Sequence, residues 1–263
     1  MITLYHHNIS VCAQKVRMAL DEKGIAYEGR EVDLMKQEHL TPEFLKINPK
    51  GLVPVLVHHG VSIPESSIIL EYIEDEFPDK PLRPKAALAK ARMRSWVRIP
   101  DDGLHAACGS VTYASAFAPQ LRENHTKEEW EARLGKLPDK ARAARQRQII
   151  EQGFEAPFVK DAVKLHAKVI ADMETTLARD PWLAGDEFSL ADIAIIPYIT
   201  RLDRLGLEGM WSHHPQVARW FAAMQARPSF ETSITAFRSN AYDDELKKRG
   251  IDVWPQVNAL LAA

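Results

Sequence analysis

The chain has 263 residues, a hydrophobic fraction of 46%, a charged fraction of 27% and a formal net charge of -2, which are typical of a globular protein with one large or two modest domains. This near-neutral balance excludes a general electrostatic affinity for nucleic acids or membrane surfaces. No signal peptide or membrane-spanning run is recognisable, and the two cysteines form neither a disulfide framework nor a metal-binding pattern, so we expect a cytoplasmic protein.

The first part of the chain alternates between strand and helix patterns. The run ITLY predicts a strand, and the apolar spacing in VCAQKVRMALDEKG predicts a helix that ends at Gly24. Similar signals predict a strand in IAYEGREVDL, a short helix in TPEFLKINPKG, a hairpin in LVPVLVHHGVSIP and an amphipathic helix over 66–77. The resulting order, β-α-β-α-β-β-α, predicts a compact unit.

The second part of the chain has helical periodicity. The segment PDKPLRPKAA has three prolines in ten residues, so it is the best candidate for a linker. Beyond it we find no convincing strand pattern. A charge-dense stretch within about 115–160 predicts a solvated helix–loop–helix insertion, and its balanced charges disfavour the alternative of a polyanion-binding arm.

Five segments together resemble the glutathione transferase family in order and spacing. They are Ser10 with Cys12 at the first strand–helix junction, NPKGLVPVL at 48–56, PESSIILEYI at 64–73, WLAGDEFSLADI at 182–193 and HPQVARWFAAMQARPSF at 214–230. The resemblance implies an α/β thioredoxin-like N-terminal domain at 1–78, a linker at 79–87 and an all-α substrate-binding domain at 88–263. It also implies glutathione as co-substrate, a small hydrophobic or aromatic electrophile as acceptor, and a homodimer.

Glutathione is a tripeptide, and a protein can hold its backbone as an added strand where a sheet edge offers a peptide N–H and C=O. The resemblance implies that Val53 pairs with the cysteine of glutathione and that Pro54 follows a cis peptide bond. The alternative is an ordinary trans proline at the start of a strand.

Glu65 and Ser66 open the predicted helix over 66–77. A helix N-terminus attracts a carboxylate, so Ser66 and the free N–H groups suit the γ-glutamyl carboxylate while Glu65 suits its ammonium group. The alternative is simple helix capping, and both can hold at once. His39 and Lys50 are candidates for the glycine carboxylate, with a solvated loop histidine as the alternative for His39.

Ser10 and Cys12 are the candidate catalytic residues. Little of the glutathione thiol, with a pKa near 8.5, is ionised at neutral pH, and a hydroxyl donor beside a helix N-terminus favours the thiolate. Ser10 supplies such a hydroxyl, whereas Cys12 can form a mixed disulfide or attack a glutathionyl adduct. Tyr5, near the end of the first strand, is a rival thiol activator. The structural alternative makes Ser10 an N-cap and Cys12 a packed residue.

The reaction type is suggested by two narrower resemblances. The long insertion resembles that of bacterial enzymes that cleave lignin β-aryl ethers, and Ser-Val-Cys resembles the motif of chlorohydroquinone reductive dehalogenases and, with one departure, of zeta-class isomerases. Trp96, Tyr113 and Phe117 are candidates for an apolar acceptor pocket, with interhelical core as the alternative. We expect a transferase that cleaves β-aryl ethers; the alternatives are thiol transfer or reductive dehalogenation through Cys12, or glutathione binding without turnover.

Three pairs of adjacent histidines raise the question of metal binding: His6-His7, His58-His59 and His213-His214. Neighbouring side chains of a strand point to opposite faces, which hinders joint ligation. No cluster of further ligand residues lies near them in the sequence, so we predict no metal site.

Overall fold

The computed structural model describes residues 1–262, which form two compact units. The first unit consists of Met1–Ile99, Leu177–Pro197 and Trp220–Arg238. The second consists of Pro100–Thr176, Tyr198–Arg219 and the chain from Ser239 onward. The predicted domains at 1–78 and 88–263 are continuous stretches of chain, whereas each compact unit consists of three separate stretches. The domain bounds therefore remain a prediction.

The first unit contains a four-stranded mixed sheet with the strand order β2-β1-β3-β4. Strand β1 is parallel to β2 and antiparallel to β3, and β3 is antiparallel to β4. The strands are β1 (Ile2–His6), β2 (Tyr27–Glu31), β3 (Val55–His58) and β4 (Val61–Pro64), and the helices between and after them are α1 (Val11–Lys23), α2 (Pro42–Ile47) and α3 (Ser66–Glu76). This confirms the predicted β-α-β-α-β-β-α order and the thioredoxin-like topology.

The two faces of the sheet are covered by different helices. Helices α1 and α3 pack against each other, and Arg17 of α1 lies 3.2 Å from Nδ1 of His6, so this β1 residue faces α1. On the other face the ring of Tyr5 packs edge-on against Phe44 of α2, at 6.1 Å between centroids. Because successive strand residues point to opposite faces, β1 separates the surroundings of Tyr5 from those of α1.

The hairpin between β3 and β4 turns through only His59 and Gly60. Both have a positive φ, 51° and 77°, as a two-residue type I′ turn requires. Because His59 lies in the turn and not in the strand, the alternation of side chains does not apply to it. Its ring lies 3.9 Å from that of His58, centroid to centroid, so the sequence-based argument that this pair must diverge is wrong.

The segment between α3 and the next helix is irregular but anchored. The buried carboxylate of Glu74 accepts from Lys23 Nζ at 2.8 Å and from the amide of Leu82 at 3.1 Å. The Arg83 amide donates to the same carboxylate at 3.2 Å. The proline-rich segment is therefore held against α3 and is not a free tether.

Beyond residue 87 the described chain is helical, as predicted. The helices are α4 (Ala87–Arg98), α5 (His105–Thr112), α6 (Ala118–Asn124), α7 (Lys127–Gly135), α8 (Lys140–Gln152), α9 (Pro157–Leu177), α10 (Leu190–Arg204), α11 (Pro215–Gln225), α12 (Pro228–Ser233) and α13 (Asn240–Leu261). Two π-helical segments, Pro100–Leu104 and Tyr113–Phe117, flank α5. Among residues 1–262, no helix has the length and apolarity needed to cross a bilayer.

Candidate functional site

Ser10 is the N-cap of α1. Its backbone is extended, with φ -72° and ψ 115°, and its Oγ accepts from the amide of Ala13 at 3.2 Å. This contact uses a lone pair of the hydroxyl and leaves its proton available. Within residues 1–262 the structure gives that proton no acceptor, so Ser10 combines a capping role with a free O–H donor at a helix N-terminus.

Cys12 is the second residue of α1, is partly exposed and takes part in no disulfide. It lies in the first turn, where unpaired N–H groups and the helix dipole favour negative charge. Ser10 and Cys12 are therefore brought to the same helix end. This position is compatible with Cys12 as a packed residue and with Cys12 as a reacting thiol.

The loop before Ser10 is fixed by a buried arginine that the sequence reasoning missed. Arg17 has no exposed surface, and its guanidinium donates to the carbonyls of His7 and Asn8 at 3.4 Å each. Its Nε donates to the Ser233 carbonyl at 2.8 Å. Burial lowers the pKa of Arg17 to about 10. Burial, reinforced by the adjacent guanidinium, lowers the pKa of His6 to about 4 and keeps that imidazole neutral.

Tyr5 lies away from α1. Its hydroxyl accepts from Arg30 of β2 at 3.2 Å, and the same guanidinium lies 5.7 Å from the centre of its ring. Together with the packing on Phe44, this places Tyr5 on the α2 face of the sheet. The structure therefore separates the rival thiol activator from the residues at the start of α1.

The loop before β3 presents a free peptide unit at Val53. The Val53-Pro54 bond is cis, as the resemblance implied. Among the described residues, neither the N–H nor the C=O of Val53 forms a backbone hydrogen bond with another residue. The loop itself is shaped by Asn48, whose side chain donates to the Leu52 carbonyl at 2.8 Å and accepts from the Lys50 amide at 3.1 Å.

Glu65 and Ser66 lie where β4 passes into α3. Glu65 has φ 69° and ψ 113°, a conformation that is strained for a residue with a side chain. Its carboxylate does not cap α3 but accepts from Lys50 Nζ at 2.7 Å, with both groups exposed. Ser66 is the first residue of α3 and is buried. Sequence analysis assigned Lys50 and Glu65 to opposite ends of the tripeptide, whereas here they form an ion pair.

His39 lies in a short 3₁₀ turn, Glu38–Leu40, and is buried. The alternative of a solvated loop histidine is therefore wrong. Gly51 has φ 60°, and a Cβ added to it would lie 3.0 Å from the carbonyl oxygen of His39. The turn and the loop before β3 thus approach so closely that only glycine fits without displacement.

The three candidate acceptor-pocket residues fall in different units. Trp96 is on α4 of the first unit with 8% of its surface exposed. Tyr113 and Phe117 lie in the second π-helical segment of the second unit, with ring centroids 6.0 Å apart. Burial raises the pKa of Tyr113 to about 12, so its hydroxyl is protonated at neutral pH. The near-complete burial of Trp96 is what the core alternative predicts.

Comparison with known proteins gives a consistent result along the chain. Residues 4–81 match the family model described as glutathione S-transferase, N-terminal domain, and residues 137–228 match that of the C-terminal domain. Glutathione S-transferase 3 of Zea mays is 31% identical over 239 residues, which cover 89% of this chain and 94% of the maize protein.

Two bacterial proteins are similar over nearly their whole length. Protein LigF of Sphingobium sp. strain SYK-6 is 29% identical over 262 residues, covering 94% of this chain and 97% of LigF. The crystal structure of that protein, a β-etherase, matches with a TM-score of 0.79 over 89% of this chain and 99% of the LigF chain, at 28% identity. The tetrachloro-p-hydroquinone reductive dehalogenase of Sphingobium chlorophenolicum is 27% identical over 245 residues, covering 88% of this chain and 95% of the dehalogenase.

Proposed function

Because this chain belongs to the glutathione S-transferase family, we propose that it activates the thiol of glutathione at the start of α1 and directs it at an apolar, aromatic electrophile. The observation on which this depends is Ser10, whose hydroxyl caps α1 through a lone pair and keeps its proton for a ligand. A thiol has a pKa near 8.5 in water. A hydrogen-bond donor and a helix N-terminus both stabilise the anion, and each pKa unit gained corresponds to about 1.4 kcal/mol.

The tripeptide would be bound by groups in the loop before β3 and at the start of α3. The free N–H and C=O of Val53 provide the pair needed to add a peptide as a short strand. The N–H groups at the start of α3, with Ser66, suit the γ-glutamyl carboxylate, and the Glu65 carboxylate suits the ammonium group. Exposed ion pairs are weak, so Lys50 can exchange Glu65 for the glycine carboxylate; His39 is the other candidate for that role.

The specific reaction that we propose is the cleavage of a β-aryl ether, supported by the similarity to the β-etherase over 97% of its length. The thiolate sulfur attacks the carbon that carries the aryl ether and forms a thioether bond. The carbon–oxygen bond breaks, and the phenolate leaves with the electron pair and takes a proton from water. Tyr113 and Phe117, whose ring centroids are 6.0 Å apart, are proposed to contribute to acceptor binding, whereas the burial of Trp96 favours a core role for that residue.

A second candidate reaction uses Cys12. The dehalogenase relative and the partly exposed thiol in the first turn of α1 favour it. The Cys12 thiolate would attack the sulfur of a glutathione mixed disulfide, take the glutathionyl group and release the other partner as a thiol. We further propose that the protein is a homodimer, which sedimentation equilibrium would test against the chain mass of 29.7 kDa.

Substitutions at Ser10 separate capping from thiol activation. Ser10→Ala removes both roles, Ser10→Thr keeps both, and Ser10→Asp keeps the capping oxygen but has no proton to donate at neutral pH. We expect Ser10→Thr to retain most of the β-aryl ether cleavage, and the other two variants to lose about tenfold to a hundredfold in kcat/KM. Equal turnover by Ser10→Asp and the wild type would contradict the proposed role.

Cys12→Ser distinguishes the two reactions. It should leave ether cleavage nearly unchanged and abolish thiol transfer, because only the second reaction forms a bond to the Cys12 sulfur. Calorimetric titration with glutathione, performed on every variant, shows whether a lost activity reflects lost binding. Tight glutathione binding without turnover in either assay would favour the non-catalytic alternative.

A further inference from the structure

The β3–β4 hairpin and the end of α3 bring together three metal-ligand side chains that the proposed transferase reaction does not use. One ligand atom each from His58, His59 and Glu76 lie within 4.8 Å of one another. His58 is buried, whereas His59 and Glu76 are exposed and can adjust their side-chain torsions. In a tetrahedral site with bonds of about 2.0–2.1 Å the ligand atoms are about 3.3 Å apart, so small rotations of the two exposed side chains suffice.

Backbone geometry places His59 in this cluster. The first position of a type I′ turn favours asparagine, aspartate or glycine, because φ must be positive. Histidine occupies it here with φ 51°. Histidine is among the non-glycine residues that adopt this conformation most readily, so the turn can hold His59 in a defined orientation. The same turn geometry brings the His59 ring beside that of His58, 3.9 Å between centroids.

His58 already has the neighbour that a metal-bound histidine requires. Its Nδ1 forms a hydrogen bond of 2.7 Å with the hydroxyl of Tyr72. Metal-binding histidines almost always engage their second ring nitrogen in this way, which fixes the ring orientation and tautomer. Bound through Nε2, His58 would keep its contact with Tyr72.

Electrostatics at the end of α3 favour a cation. Glu76 is the last residue of that helix, where unpaired carbonyls and the helix dipole produce a partial negative charge. The Glu76 carboxylate adds a full negative charge to the same point. The cluster therefore combines two imidazoles and one carboxylate at a helix end that favours cations, and this attraction competes with the N-terminal ammonium group, which also acts on His58.

We propose that His58, His59 and Glu76 form a binding site for one divalent transition metal ion. Two imidazoles and a carboxylate suit Zn²⁺, Ni²⁺ or Cu²⁺ and not Ca²⁺ or Mg²⁺, which prefer oxygen ligands only. Three protein ligands leave a fourth position for water. A bound ion would join the hairpin to the end of α3.

Calorimetric titration of the tag-free, chelator-treated full chain with ZnCl₂ tests the proposal. We expect one ion per chain, a rise in melting temperature on binding, and a visible absorption band when Co²⁺ is used instead. His59→Ala and Glu76→Gln should each weaken Zn²⁺ binding by about tenfold or more, and so should Tyr72→Phe. Both altered ligands are exposed, so these variants should fold, which circular dichroism verifies.

His213→Ala is the matched control, because it alters an exposed member of another adjacent histidine pair. It should bind Zn²⁺ with unchanged affinity, and Mg²⁺ and Ca²⁺ should give no saturable heat with the wild type. The proposal is overturned if the wild type shows no one-to-one binding. It is equally overturned if His59→Ala and Glu76→Gln bind like the wild type, or if His213→Ala weakens binding as much as they do.

Discussion

The cost of removing the Asp192 carboxylate can be calculated directly, because three N–H donors of the first unit converge on it. The side chain has no exposed surface. Its Oδ1 accepts from the Leu183 amide at 3.0 Å and from the indole N–H of Trp220 at 2.9 Å. Its Oδ2 accepts from the Ser189 amide at 3.0 Å and so bonds back to the residue that precedes α10.

Asp192→Ala leaves three buried N–H donors without this acceptor. Each costs about 1–3 kcal/mol, so the gross loss is about 6 kcal/mol. The ionised carboxylate also has a cost of its own, because burial outweighs these hydrogen bonds and raises the pKa of Asp192 from 3.8 to about 6. The net cost of keeping the group ionised in the folded state is about 3 kcal/mol at neutral pH, and alanine does not bear it. We expect the free energy of unfolding to fall by about 3 kcal/mol in urea denaturation at neutral pH. A loss below about 1 kcal/mol would refute the reasoning.

Asp192→Asn removes the titrating group and keeps the side-chain volume. Comparing the stability of this variant with that of the wild type therefore isolates the pH dependence that Asp192 contributes. The carboxyl titrates near 3.8 in the unfolded chain and near 6 in the folded chain, and below 3.8 both states hold the proton. As the pH rises from 3.8 to about 6, the unfolded state releases its proton first. Over that window the wild type should lose about 3 kcal/mol relative to the asparagine variant. A difference in urea-derived stability that stays flat or grows with pH would refute the assignment.

Two further predictions concern the surroundings of the start of α1. Arg17→Met removes the donors to the carbonyls of His7 and Asn8, so we expect about a tenfold fall in kcat with glutathione bound. The relief of guanidinium desolvation should limit the loss of stability, and a large stability loss with unchanged kcat would assign Arg17 to the core alone. Tyr5→Phe should leave the pKa of bound glutathione, read from thiolate absorbance, unchanged, because the Tyr5 hydroxyl contacts Arg30 instead. A raised pKa of the glutathione thiol in that variant would show that Tyr5 contributes to thiol activation.

The element order of the first unit could be predicted because it depends on short-range patterns. The β-branched run at the N-terminus becomes β1, and the apolar spacing after Ser10 becomes α1, which ends at Gly24 with φ 69°. These signals are local: a period of two or 3.6 residues, a capping hydroxyl and a glycine in the left-handed region. The helical second part of the chain follows from the same kind of pattern.

The positions of buried charges could not be predicted in this way. Arg17 lies in α1, and the shortest of its hydrogen bonds is to the carbonyl of Ser233, 216 residues further along the chain. Nothing in the sequence near either residue indicates that contact. The same holds for Glu74, which anchors the proline-rich segment through Leu82 and Arg83. Such partners arise from tertiary packing, whereas local sequence patterns indicate only secondary structure.

The histidine pair in the hairpin shows where a correct rule was applied beyond its range. Side chains alternate between faces only within a strand, and β3 ends at His58. The residues that follow, His59 and Gly60, form a two-residue turn with φ positive at both positions. The alternation rule therefore does not apply to His59 and gives no argument against joint ligation by this pair.

Sequence analysis treated helix capping and thiol activation as alternative roles for Ser10. The geometry of the residue is compatible with both roles at once. A hydroxyl has lone pairs and one proton, and the amide of Ala13 engages only a lone pair, at 3.2 Å. The capping contact also fixes the oxygen at the helix N-terminus, where the dipole already favours an anion. A residue selected only to start the helix could equally be aspartate or asparagine, which cap as well. Only a hydroxyl residue both caps the helix and donates a proton from the same oxygen, so capping here positions the donor and does not compete with it.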